Sequence, residues 1–430
     1  MKAYEEPGIH ISGLRKESAG GWTKLVADIT YSGGGVLPSN EPVIWLAVKD
    51  ENAHMLADDV YDAFVLVPLY MAMYMKADLY IHGNMSKRLY KNIVNYLQRI
   101  LCDFSPDLSR VNVSVDGFAE AQGEQSIIGT GISCGVDSLT TIYDRYVMED
   151  DPDYRVNGLF FFNYGSCGDY GEEASRLWME RYEMNKAAAD ELGLPVYLVD
   201  SNLHAFTHAK ELGGTQAGYF ANWSIILGLG CAIKKYYTSS CYSYSQMMEF
   251  GRRKRGSDFA EYSEAYSVPL IRTERLELII DGCQYERSMK TEHIADWEIA
   301  RKHLNVCVVK SDGISDAHNC SKCAKCMMTL LTLDAIGKLD NFSGVFDLGT
   351  YRKHSAREKL NIAAHHFSGT PYDNEPDPYI FLTTHGIKFP SRPAVLLYML
   401  KSRASRLAKR LVRKIAGENL YSRLKKILRR

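Results

Sequence analysis

Apolar positions along the chain fall into short runs separated by polar turns. Between residues 23 and 116, KLVADITYS and VIWLAVKD read as strands, and an apolar-periodic stretch from about Ala53 to Met75 reads as a helix. ADLYIHG, a second helical stretch to about Leu101 and the strand VNVSVDG complete an α/β region that contains no recognisable catalytic motif. The polar, glycine-containing segment GFAEAQGEQS at 117–126 predicts a domain boundary. From Ile127 the rhythm becomes strand, glycine turn, helix. SIIGTGIS leads into DSLTTIYDRYVM, VNGLFFFN into a helix from about Glu172 to Leu192, PVYLVDSN into a helix around 222–233, and KKYYTSSCYS supplies a fourth strand. Short apolar strands alternating with helices imply βαβ units and a parallel sheet, with ligands expected at the carboxyl ends of the strands.

One such end carries Ser133-Cys134-Gly135-Val136-Asp137-Ser138, placed between the strand IIGTGI and the helix that opens with LTTIYDRY. A small-residue turn at a helix start presents backbone N–H groups and the positive end of the helix dipole, the combination that holds a phosphate. Ser133 and Ser138 add hydroxyl donors, Gly135 allows close backbone approach, and Asp137 could order the helix start or help hold Mg²⁺. No GKS or GKT follows, so this is not a Walker A loop. A helix capped by Ser133, with Asp137 as a favourable first-turn acid, is the purely structural alternative.

The segment resembles the SGGxDS loop of the N-type ATP pyrophosphatases. This PP-loop superfamily includes GMP synthetase, NAD synthetase, asparagine synthetase, tRNA thiolation enzymes and 7-cyano-7-deazaguanine synthase. The resemblance implies a Rossmann-type PP-loop fold, ATP and Mg²⁺, and catalytic roles for Asp137 and Ser138. Asp137→Ala is then expected to abolish ATP-dependent activity while leaving the fold cooperative. Cys134 departs from the family's glycine and reads either as a tolerated small residue or as a reactive thiol near the phosphates. Asn163, in the Asn-Tyr-Gly-Ser turn after the second strand, matches by topology the place where the superfamily contacts adenosine; a strand-bounding turn explains it equally well.

Cys320, Cys323 and Cys326 form a CxxCxxC run, with Cys307 thirteen residues upstream in the apolar, strand-like NVCVV. Four thiolates at this spacing satisfy tetrahedral Zn²⁺ without water, the pattern of a structural site. An iron–sulfur cluster, or His318 in place of Cys307, is the alternative. The arrangement looks like the zinc site of 7-cyano-7-deazaguanine synthase, and the chain to about residue 347 also resembles a PP-loop family associated with polysaccharide-biosynthesis genes. Between the two motifs, Arg287 and Lys290 share a helix face and are candidates to neutralise a departing pyrophosphate, against the reading of a solvated face. Arg252-Arg253-Lys254-Arg255 reads as a glycine-flanked loop able to close over an acidic substrate, or simply as a solvated run.

Composition narrows the class. With 430 residues, 46% hydrophobic and 24% charged, the chain is an ordinary globular one. Ten cysteines, three of them within seven residues, suit a metal site in a reducing compartment rather than a disulfide framework. No stretch approaches a membrane span, so the cytoplasm is the expected location. The net charge of −1 conceals an asymmetry, because residues 401–430 hold twelve Lys or Arg against the single acid Glu418. Leu400, Ala404, Leu407, Ala408, Leu411 and Ile415 recur at helical spacing in this tail, as in amphipathic helices that lie on an anionic membrane surface. Nucleic acid is the weaker candidate partner, and a homodimer is left open.

The expected organisation is an N-terminal α/β domain (1–122), a PP-loop domain (123–347) with its knuckle at 307–326, an extension (348–395) and a basic tail (396–430). The expected activity is ATP-dependent adenylation of a carboxylate or amide oxygen on a small or glycan-linked substrate, followed by attack of ammonia, an amine or sulfur. No Ser/His/Asp or Cys/His nucleophile set is evident, so glutaminase chemistry would need another protein or free ammonia. A non-catalytic nucleotide-binding scaffold and a tRNA sulfurtransferase-like enzyme are the rivals.

Overall fold

The computed structural model describes residues 4–33, 36–167, 172–207, 218–253, 259–307, 319–370, 372, 378–404 and 407, with side chains described outside 250–261. The chain forms two compact units, Met1–Asn305 and Val306–Arg430.

The first unit is built on one ten-stranded sheet. Its N-terminal strands are β1 (Gly8–Ala19), β2 (Trp22–Ser32) and β3 (Val43–Lys49), followed by α1 (Leu66–Met75) and β4 (Asp78–Met85). Next, α2 (Lys87–Asn92) runs through a π-helical turn (Ile93–Leu97) into α3 (Gln98–Phe104), and β5 (Val113–Phe118) closes this part. The remainder is β6 (Ile127–Gly131), α4 (Val136–Ile142), β7 (Gly158–Phe162), α5 (Glu172–Leu192), β8 (Val196–Ser201), α6 (His204–Thr207), α7 (Gly218–Gly228) and β9 (Ile233–Ser239). Then follow α8 (Tyr244–Arg253), α9 (Phe259–Ser267), β10 (Glu277–Asp281), α10 (Arg287–His293) and α11 (Glu298–His303).

The sheet order is β10-β9-β6-β7-β8-β3-β2-β1-β4-β5. The strands β10, β9, β6, β7 and β8 run parallel, as do β1, β4 and β5, and antiparallel pairings of β8 with β3, β3 with β2 and β2 with β1 join the two sets. The class is therefore α/β with a mostly parallel sheet, consistent with a Rossmann-like fold. The central strand GLFFF is buried at every position, as a strand covered on both faces must be, whereas β2 buries Leu25, Ala27 and Ile29 in alternation.

Several elements differ from their sequence-based expectation. The polar segment 117–126 does not divide two bodies, because Leu46, Ala47 and Val48 of β3 pair with Ser201, Asp200 and Val199 of β8 and one core runs through both parts. The division falls instead at Asn305/Val306, inside the stretch expected as one domain. The segment is polar because it crosses the surface, where Arg275 binds the carbonyls of Ala121 and Gly123, each at 2.6 Å. The expected helix over 53–75 is a 3-10 turn (Asp50–Met55), a second one (Asp62–Phe64) and only then α1. Here Asp62 accepts the Ser86 backbone N–H at 2.8 Å, fixing a turn where periodicity alone would continue a helix. The helix expected around 222–233 lies at Gly218–Gly228, and β10 was not foreseen although LELIID has the short apolar run of a buried strand. Arg252 and Arg253 end α8 rather than lie in a loop, while Lys254 and Arg255 fall outside the described residues.

In the second unit, α12 (Ala324–Ala335), α13 (Leu348–Ser368) and α14 (Pro378–Thr384) follow the cysteine run, and residues 392–404 are helical. Asp347 caps α13 by accepting the Thr350 N–H at 3.0 Å, and Gly369 ends it in a left-handed conformation. The segment around Cys307, expected as a strand, is irregular through residue 307 and lies outside the described residues from 308. No helix among the described residues is long and apolar enough to cross a membrane.

Candidate functional site

In a parallel sheet the order of connection reverses at one strand, and the crevice outside its carboxyl end is where loops diverge and leave room for a ligand. Here that strand is β6, whose neighbours β7 and β9 are reached by crossovers in opposite directions. A cleft of about 220 Å³ opens at this position. Gly131, Ser133, Asp137 and Ser138 line it from the loop after β6, Phe162, Tyr164 and Ser166 from the end of β7, and Tyr236, Thr238, Ser239 and Cys241 from the end of β9. Tyr219 and Asn222 of α7 complete the wall.

The loop is held by its own serines. Ser133 N–H donates to Ser138 Oγ at 3.0 Å, and Gly135 N–H donates to Ser133 Oγ at 3.3 Å. Gly135 is the cap residue of α4 and supplies no side-chain acceptor to the helix start. Its need for glycine is one of space, since an added Cβ would lie 3.3 Å from Ser133 Oγ. Val136 is fully buried and offers the site only its backbone.

Asp137 is the electrostatic centre. Arg287 Nη1 donates to one carboxylate oxygen at 3.1 Å and Lys290 Nζ to the other at 3.1 Å. Lys290 is completely buried and also donates to the Ser240 carbonyl at the end of β9, while Arg287 is 6% exposed. The two cations expected to share a helix face do so at the start of α10, and that face points at the loop acid rather than at solvent. Removing Asp137 would leave two buried cations without their shared counter-charge, a loss of about 3–5 kcal/mol. Asp137 is therefore both a loop residue and a structural tie, and the Asp137→Ala chain is expected to fold cooperatively but with lower stability.

Cys134 occupies a left-handed conformation (φ 52°), one that glycine adopts without strain. Its side chain is 2% exposed, and burial pushes the thiol up to about 12. A neutral buried thiol is a poor nucleophile, so of the two sequence readings the geometry favours the tolerated small residue. Asn163 is not part of the cleft wall. Its amide donates to Asp200 Oδ1 at 2.7 Å, and its carbonyl accepts from Ser201 Oγ at 2.7 Å, tying the ends of β7 and β8. The neighbouring Tyr164 and Ser166 line the cleft in its place.

Sequence reading missed Asn222, Thr238 and Ser239. Asn222 Oδ1, Thr238 Oγ1 and Ser239 Oγ are buried without a hydrogen-bond partner among the described residues. Unpartnered buried polar atoms are uncommon and costly, and three around one cleft suit a polar ligand. For Thr238 and Ser239 the available signal was the rule that ligands lie at strand carboxyl ends; nothing local marked Asn222.

The second unit holds a separate candidate metal centre. The four sulfurs of Cys307, Cys320, Cys323 and Cys326 all lie within 4.8 Å of one another, so the cluster could hold a metal ion such as zinc. Ser321, at φ 51°, makes the tight turn that lets Cys323 N–H donate to Cys320 Sγ at 3.3 Å. Asn319 braces the approach, accepting the Val306 N–H at 2.9 Å and donating to the Val345 carbonyl at 3.0 Å. His318, the alternative ligand, lies outside the described residues.

Comparison with protein-family models, with curated proteins and with solved structures gives no match to this chain.

Two outcomes follow from this geometry. Cys134→Gly relieves the left-handed strain while giving up one buried thiol, effects of about 1 kcal/mol each and opposite sign, so its stability in urea should stay within about 1 kcal/mol of wild type. Cys134→Val places a β-branched residue at φ 52° and should lose more than about 2 kcal/mol; equal stability of the two variants would refute the strain argument. Separately, metal analysis of the purified chain should return one ion per molecule, and chelation should lower the thermal unfolding midpoint, since binding to a preassembled thiolate set adds to folding free energy. An unchanged midpoint after verified metal removal would show that the cluster is not structural.

Proposed function

We propose that the protein is an AMP-forming ATP pyrophosphatase that activates a carboxylate or amide oxygen by adenylation. The observation that supports this most directly is the placement of the SCGVDS loop at the reversal point of the sheet with its acid engaged by two buried cations. Ser133, Gly135 and Ser138 would hold the β and γ phosphates through hydroxyls and backbone N–H groups. Arg287 and Lys290 would screen the charge that develops as pyrophosphate leaves, and because Asp137 already fixes them, little reorganisation is needed at that moment. The unpartnered oxygens of Asn222, Thr238 and Ser239 supply polar contacts for the nucleoside or the acceptor substrate. Mg²⁺, when bound, would add charge neutralisation along the phosphates; the Asp137 carboxylate is the group on the loop able to face it. The four-cysteine cluster is assigned to Zn²⁺, whose preference for four thiolates in a closed tetrahedral site fits a structural role.

A surface-bound location has its own support. Leu396, Leu397, Leu400 and Leu407 are 53–63% exposed, directly before and within the stretch that holds twelve cations and one acid. Exposed leucines beside dense positive charge suit an anionic bilayer surface, with each nearby cation contributing about 1 kcal/mol. Residues beyond Leu407 lie outside the described structure.

Two experiments check these readings. Incubation with ATP, Mg²⁺ and a metabolite extract should release AMP and pyrophosphate, with Ser138→Ala lowering turnover by about 10²–10³ through loss of a phosphate donor; release of ADP, or no nucleotide binding, would rule out the activity. For the tail, Val395 packs in a small core with Ala363 and Ala364, so truncation after Ala404 leaves that packing intact. Full-length protein should co-sediment with anionic but not neutral vesicles, and the 1–404 chain should lose most of that binding. Equal recovery of the two would reject the anchor.

A further inference from the structure

The amino ends of β9 and β10 bound a second cavity, of about 300 Å³, unrelated to the loop cleft. Strand β9 runs from Ile233 to Ser239, so Lys234 at one end and Ser239 at the other are separated by about 16 Å of extended chain. Five cations line this cavity: Arg88, Lys234, Lys235, Arg272 and Arg275. Two acids line it, Glu274 and Glu277, so the wall carries a surplus of positive charge.

Two of these charges are held in place without being neutralised, one is paired at the surface, and two are left open. Arg275 is spent on the carbonyls of Ala121 and Gly123, and Lys235, 7% exposed, donates to the Asp153 carbonyl at 3.0 Å while lying over the Tyr154 ring at 3.4 Å. A carbonyl or an aromatic face orients a cation but leaves its charge in place. Lys234 meets Asp153 in an exposed pair at 3.1 Å, and Glu274 accepts the Arg88 backbone N–H at 2.8 Å. Among the described residues the guanidinium groups of Arg88 and Arg272 have neither a hydrogen bond nor an ion pair, and Arg272 Nε is buried with no partner. A half-buried guanidinium with unmet donors is costly unless an anion completes it, because its N–H groups have been removed from water.

We propose that this cavity is a second anion site, which takes a small phosphate-bearing metabolite. Guanidinium forks match phosphate oxygens, and the unpartnered Arg272 with the exposed Arg88, beside Lys234 and Lys235, suits an anion of charge −2 or more. The volume lies at the lower end of the range of about 300–1,000 Å³ for small-molecule sites, so the ligand is a small molecule. The site does not depend on the activity assigned to the loop cleft.

Calorimetric titration of the full chain with inorganic pyrophosphate tests this. Ser133→Ala, which weakens the loop, should leave one binding event intact, and in that background Arg272→Gln and Arg88→Gln should each weaken it by about tenfold or more. Arg88 is exposed, so its variant reads the site without disturbing the core. Pyrophosphate binding that is indifferent to both arginine variants, or absent from the Ser133→Ala chain, would overturn the proposal. Equal affinity for citrate would overturn its assignment to phosphate. Failure of the loop cleft alone would show instead as a wild-type stoichiometry of one that Ser133→Ala does not change.

Discussion

The contact on which the site depends is the buried meeting of Asp137 with Arg287 and Lys290. A carboxylate partly open to the cleft meets two buried cations, and the low exposure of the cations makes this pairing stronger than one at the surface. The three residues come from the helix after β6 and the helix after β10, and Lys290 also reaches the carbonyl that ends β9. One electrostatic knot therefore sets the spacing of three strand ends that form or adjoin the cleft. Gly282, beside the Lys290 stem, sits at φ 80°, a left-handed conformation that glycine adopts without strain.

The sheet supplies the rigidity behind this knot. Strand β8 would be an exposed edge if the parallel strands stood alone, and its antiparallel pairing with β3 hides that edge and extends the core to Ile9, Leu25 and Leu79. Helices α1 and α7 sit in this shared core, with Tyr70 and Phe220 rings 5.1 Å apart, and carry no charged residue because protein covers most of each. The N-terminal region thus has a physical task in the same body as the loop.

Two ends of the parallel strands carry opposite kinds of site. At the carboxyl ends, the charges are paired internally and the unmet groups are neutral oxygens, those of Asn222, Thr238 and Ser239. At the amino ends of β9 and β10, the unmet group is the Arg272 guanidinium, with the exposed Arg88 beside it. The first set calls for hydrogen-bonding partners, the second for negative charge.

What the sequence determined by itself were the features fixed by local chemistry. Apolar runs with glycine turns specified the parallel strands, SCGVDS specified a small-residue turn at a helix start, and CxxCxxC with Cys307 specified a thiolate cluster, because strand period, turn conformation and ligand reach act within a few residues. Arg287 and Lys290 were legible as one helix face, but not which way that face points. Tertiary structure alone decided that they meet Asp137, that Cys134 is a buried neutral thiol, that Asn163 braces two strand ends while Tyr164 lines the cleft, and that the polar segment 117–126 crosses a single body. Each of these depends on which strand lies beside which, a pairing between residues far apart in the chain that is set by the common burial of their apolar faces and that no local pattern records.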